Sequence, residues 1–360
     1  MLWSSARPLI SETGIHASRG WRETLSRARE DVYSDEIWTS AYKALSGVAT
    51  LHTYVGNKHV SIFDLREQNE DHKRLVIEWA KNNALKDLEL IILDRPFDIL
   101  TAPTRKPELE PYKSAPPKLI ATAFYRGKLY LQYFTTRSYL KREELDISKM
   151  GAAQAKMFAE YEELIGVKTR QVPCFDTVVI DTENDLVEFR TDFQPGMADD
   201  KNAPAFVRVL NEFNRTAVKF ISHEALGVGL MNLHPAIDPM YRDASCGSVT
   251  ALGFVATSEE SSSNNHGQIH RSKTQDFRKD SFHVGGKLHV KKVEPYAIGI
   301  TWKKRAPKTD LYLELKGSVR AIYSGIVRAA TTAEILGCMD IDDYDFVADQ
   351  VLSRLKRRAK

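Results

Sequence analysis

Runs of β-branched and aromatic residues come in pairs along this chain, each pair joined by two or three residues that tolerate a tight turn. They are VATLHTYV and KHVSIFDL about Gly56-Asn57, LIATAFY and KLYLQYF about Arg126-Gly127, and DTVVID and DLVEFRTDF about Glu183-Asn184. Such spacing predicts hairpins, and segments of helical period lie between them. The expected fold is therefore α+β, with hairpin-rich antiparallel or mixed sheets covered by helices, in two domains or two halves of one large domain.

Apolar periodicity predicts helices over about Trp21–Leu45, Glu67–Lys86, Arg142–Ile165 and Ala203–Ala225, with two more closing the chain. In the fourth, Phe206, Val207, Leu210, Phe213 and Val218 suit burial. Leu88–Leu93, VTALGFVA, KLHVKKV, YAIGITWK and DLYLELK read as further strands. Pro96 to Pro117 carries too many rings for regular structure and is expected to be a surface loop. Residues 257–282, with SEESSSNNHGQ at their start, have little to bury and are expected to form a mobile polar loop. A boundary near residues 148–170 would give an N-terminal α+β domain, 1–150, and a C-terminal one, 151–360.

The bulk charge assigns no partner: 51 basic residues against 48 acidic leave +3, too little to imply nucleic acid, membrane or acidic substrate. The 3 cysteines, Cys174, Cys246 and Cys338, are far apart and form no CxxC pair, which fits a reducing, cytoplasmic setting. The most apolar stretch, Ala225–Ile237, is broken by His234 and Pro235, so no membrane span is expected. No cofactor is expected either, apart from a divalent metal under one reading below.

That reading rests on TDLYLELKG. Strand alternation predicts that Asp310, Glu314 and Lys316 share one face, where the acids could hold a divalent cation and the lysine could stabilise charge on a phosphate. Glu-x-Lys followed by an amphipathic helix resembles a fragment of the PD-(D/E)xK nuclease core over about twenty residues. The resemblance implies a further metal-binding acid, and the preceding strand YAIGITWKK offers none beyond Glu294 at its edge. The reading therefore requires a distant carboxylate, such as Asp276 or Glu294, to fold beside Glu314. The simpler expectation is that Leu311, Leu313 and Leu315 face the core while the charged residues point to water.

A second set is basic and aromatic. Arg126, Lys128 and Tyr130 in the second hairpin, with Arg271, Lys273 and Arg278 in the polar loop, could stack bases and track phosphates. Half of the hairpin's aromatics should instead face its own core. A third set, His266, His270, His283 and His289 with Asp276, Asp280 and Cys246, has metal-ligating side chains at poor spacing, and solvated loop histidines are the plainer account. With no complete catalytic constellation in view, the sequence favours a non-catalytic protein that binds or senses a protein or nucleic-acid partner. A metal-dependent nuclease or phosphodiesterase and a subunit of an assembly are the alternatives.

Overall fold

The computed structural model describes residues 3–83, 109, 112–113, 115–146, 150–151, 156–158, 160–161, 163–192, 202–221, 226, 229–257, 266–271, 276–303, 310–320 and 329–356. The helices among them are α1 (Trp3–Glu12), α2 (Trp21–Glu30), α3 (Asp35–Val55), α4 (Glu70–Asn83), α5 (Asn202–Ile221), α6 (Ile237–Arg242), α7 (Ser281–Lys287) and α8 (Ile341–Lys356). The strands are β1 (Lys58–Asp64), β2 (Lys118–Tyr125), β3 (Lys128–Glu144), β4 (Ile165–Asp181), β5 (Leu186–Asp192), β6 (Ser248–Thr257), β7 (His266–Arg271), β8 (Lys292–Trp302), β9 (Leu311–Lys316) and β10 (Ala333–Leu336). All join in one 10-stranded sheet of order β2-β3-β4-β5-β1-β10-β9-β8-β6-β7, and every pairing is antiparallel. The mixed α+β class expected from the sequence is what the chain forms.

Two of the three hairpins close as expected. Arg126 and Gly127 take φ of 49° and 72°, the pair of positive values that matches the strand twist in a two-residue turn. At the β4–β5 turn, Asp181 Oδ1 accepts from the Glu183 and Asn184 amides at 3.0 and 2.9 Å.

The first hairpin does not form. VATLHTYV completes α3, whose N-cap Ser34 accepts from the Ile37 amide. Its β-branched residues are carried by burial of Tyr54 and Val55 against the sheet, so tertiary packing overrides local preference. The long helix expected over Trp21–Leu45 is also two helices, because Asp31 is extended and Ser34 starts a new one.

Elsewhere the strands reach further than their sequences suggest. β3 and β4 pair over 17 residues each, so both ends of the helix expected over Arg142–Ile165 are strand. KLHVKKV begins instead at the end of α7, capped by Asp280, and the strand starts only at Lys292. Within the loop expected to be mobile, His266–Arg271 forms β7 along the edge of β6. The proposed domain boundary falls between β3 and β4, which are partners, and strands from both sides of it share the sheet. Leu88–Leu93 and most of the proline-rich stretch lie outside the described residues.

The sheet has an apolar layer on each face. Val60, Ile62, Tyr130, Val179, Leu313 and Leu315 point toward a core shared with α3, α6 and α8. Phe63, Leu131, Val178 and Phe189 face the other way, against Trp79 of α4 and Phe213 of α5. On α5 the stripe is Ala205, Val209, Phe213, Ala217 and Ile221; Val207 and Val218, expected to be buried, are 49% and 43% exposed.

Candidate active site

β9 alternates strictly. Leu311, Leu313 and Leu315 enter the α3–α6–α8 core, which leaves Tyr312, Glu314 and Lys316 on the opposite face. Lys316 is exposed there as expected, but Glu314 does not meet water: it is 5% exposed. It lines a cleft of 410 Å³ with His59, Ser61, Lys316, Thr332 and Glu334, beside Phe206 of α5.

The sheet register builds this cleft. Thr191, His59, Glu334, Glu314 and Gly299 are successive partners across β5, β1, β10, β9 and β8. Direct antiparallel partners hold their Cβ atoms about 5 Å apart, so two glutamates and a histidine stand in one row on one face. Two features steady the pair of acids. Lys316 Nζ donates to Glu334 Oε2 at 3.0 Å, and the Tyr312 hydroxyl donates to Glu314 Oε2 at 2.9 Å. Gly299 makes room for that tyrosine, since a Cβ there would stand 2.6 Å from its hydroxyl oxygen. The next row is marked by Ser61 and Thr332, whose hydroxyls lie 3.4 Å apart.

Glu334 is thus the carboxylate that the Glu-x-Lys reading required, and neither Asp276 nor Glu294 supplies it. Asp276 accepts from Arg278, and Glu294 accepts from Lys292. Asp310 does not join the site: it is exposed, precedes β9 and is absent from the cleft lining. Four residues of extended chain separate it from Glu314 by about 13 Å, too far to share a cation. The acid expected to accompany Glu314 on its face is therefore not Asp310, and the carboxylate that stands there is Glu334.

Glu334 escaped the sequence reading because β10 has only 4 residues, AEIL, too few to show an alternating pattern. His59 was hidden by its assignment to a hairpin that does not form. Of the helix expected after Lys316, only Val319 and Arg320 are described.

Of the basic and aromatic set, the described side chains of Arg126, Lys128, Tyr130 and Arg278 have partners within the chain. Arg126 pairs with Asp342 of α8, and Lys128 Nζ donates to Asp345 Oδ1 at 2.8 Å. Burial opposes the charge on Lys128, yet Glu188 and Asp345 outweigh it and raise its pKa. Tyr130 is 1% exposed, so the expectation that it stacks bases is corrected: its ring belongs to the core. Arg278 is held by Asp276 and by the carbonyls of Asp243 and Gly247. Arg271 ends β7, paired with Ala251. Lys273 lies outside the described residues.

His266 and His270 lie in β7, whereas His283 is buried on α7 with its Nε2 2.7 Å from the Tyr241 hydroxyl. Cys246 is buried, and burial raises its pKa; the same effect pushes the Cys174 thiol up to about 12, which leaves neither suited to attack as a thiolate. Among the described residues, no group of three or more His, Cys, Asp and Glu side chains is placed to hold a metal by itself, and no helix is long and apolar enough to cross a membrane. No protein-family model matches the chain, and no curated protein is detectably similar to it.

Proposed function

We propose that the protein is a divalent-cation-dependent phosphodiesterase whose protein ligands are Glu314 and Glu334. The observation that carries this is the direct cross-strand opposition of the two carboxylates, with the Lys316 ammonium 3.0 Å from one of them. Like charges so placed repel, and a cation between them turns that repulsion into coordination. Magnesium suits a site with two carboxylates, because it keeps several waters and completes its shell with substrate phosphate oxygens. When bound it would supply Lewis-acid polarisation of the phosphoryl group.

The chain's own residues then divide the work. Lys316 faces the phosphate and stabilises charge on its oxygens. Water adds to phosphorus and the ester P–O bond breaks. His59, one row position from Glu334, takes the water proton, and the departing oxygen recovers a proton from Lys316. The cleft volume of 410 Å³ is in the range of small-ligand sites, which favours one flexible phosphodiester segment over a duplex.

The test uses bis(p-nitrophenyl) phosphate and labelled single- and double-stranded DNA and RNA, each with and without magnesium or manganese. Metal-dependent release that is lost in both Glu314→Gln and Glu334→Gln is expected. Absence of turnover on every substrate overturns the reading, and retention of nucleic acid without cleavage would move the protein to a non-catalytic binding role.

A further inference from the structure

On the opposite face of the sheet, neighbouring buried polar atoms lack hydrogen-bond partners in the protein. Gln132, Thr177 and Arg190 are consecutive register partners across β3, β4 and β5, and Val60 of β1 closes the row. Gln132 Oε1, Thr177 Oγ1 and both Nη atoms of Arg190 make no hydrogen bond, nor do the hydroxyls of Tyr130 and of Tyr54 from α3. The two tyrosine rings meet edge to face, 6.0 Å between centroids. Arg190 is fully buried, with its guanidinium 3.5 Å above the Tyr344 ring of α8. Its Nε donates to Glu188 Oε2 at 2.9 Å. Nη2 is also 2.8 Å from that oxygen, close enough for attraction between charges but not aligned to donate. The other five, left dry, would cost an amount comparable to the whole net stability of a domain.

The chemistry of these atoms selects their ligand. Thr53 Oγ1 gives its proton to the Thr50 carbonyl, so toward Gln132 it can only accept. Gln132 must therefore present Nε2 to Thr53 and Oε1 to the cluster, which fixes an amide orientation otherwise open to choice. Whatever fills the site has to donate to Gln132 Oε1 and accept from Arg190. A halide can do only the second. Glu188 already neutralises Arg190 at contact distance, which removes the demand for an anion. We propose that an internal water cluster occupies this site, bridging Arg190, Thr177, Gln132 and Tyr130 and sealing α3 and α8 onto the sheet.

A crystal structure of the full chain, at a resolution that shows ordered solvent, tests this directly. Density within hydrogen-bond reach of Arg190 Nη1, Thr177 Oγ1 and Gln132 Oε1 is expected, with no anomalous peak there after a bromide soak. A bromide peak overturns the proposal in favour of an anion, and direct bonds among those side chains with no density between them overturn it in favour of a dry cluster. In solution, water oxygen-17 relaxation dispersion should lose the signal of at least one long-lived water in Thr177→Val; an amplitude equal to wild type would count against the site. None of these readouts depends on hydrolysis.

Discussion

At the residue scale, Glu314 and Glu334 oppose each other on a face where both are nearly buried. Lys316 and Tyr312 each hold one of the acids, yet like charges on direct cross-strand partners repel, so neutralising one acid should separate function from stability. Glu314→Gln keeps an acceptor for Tyr312 and removes a like charge. We expect it to lower metal-dependent hydrolysis at least about a hundredfold while leaving the urea midpoint unchanged or raising stability by up to about 1 kcal/mol. Magnesium should raise the melting temperature of wild type and not of the variant; a variant that unfolds more easily would make the pair structural. His52, partly buried near the end of α3, offers a different readout. Burial pushes its imidazole down to about 3 from the usual 6.5. Between those values the unfolded chain binds a proton that the folded chain refuses, so stability should fall as pH is lowered from 6.5 toward 3. Urea midpoints across that window should fall less steeply in His52→Gln. Glu-x-Lys was legible in the sequence because it is a local pattern. Glu334 and His59 were not, because only long-range register sets them beside it.

At the scale of single elements, β9 and β10 form the platform of the cleft, and Gly337 fixes how they meet. It sits just after β10 with φ of 84°, and a Cβ there would collide with the Asp310 carbonyl at the start of β9. Its amide donates to Asn57 Oδ1 at 3.2 Å, tying the same corner to the entrance of β1. Gly337→Ala should therefore cost about 1–3 kcal/mol and reduce hydrolysis beyond the loss of folded protein, checked by activity per folded molecule. The turn of β2 and β3 docks on α8 through Lys128 and Asp345, which are 17% and 26% exposed. Because both are partly shielded, Asp345→Asn should lower stability by roughly 1 kcal/mol in low salt, and less in high salt. Two hairpins were readable from their turn residues, since Arg126-Gly127 and Asp181 to Asn184 supply their own geometry. The end of α3 was misread because Val48, Thr50, Thr53 and Val55 favour strand locally, while the buried side of the helix is set by a sheet remote in sequence.

At the scale of the whole molecule, alternating runs of strand and helix sufficed to indicate an α+β protein, but neither that its sheet is wholly antiparallel nor the order in which the strands lie. That order depends on β1, which leaves the first half of the chain to pair with β5 on one side and β10 on the other. Its contact with β10 spans only the partners Lys58–Ile335, His59–Glu334 and Val60–Ala333. The cleft straddles this seam, with His59 on one side and both glutamates on the other. During synthesis β1 emerges some 270 residues before the strand that completes it, so a nascent chain carries an open strand edge for most of its translation. Loop closure over that separation is slow relative to local hairpins. Cation affinity should accordingly return in the last kinetic phase of refolding, after most far-ultraviolet signal has recovered, and the long-exposed edge of β1 makes a chaperone that shields unpaired strands a natural requirement for high yield.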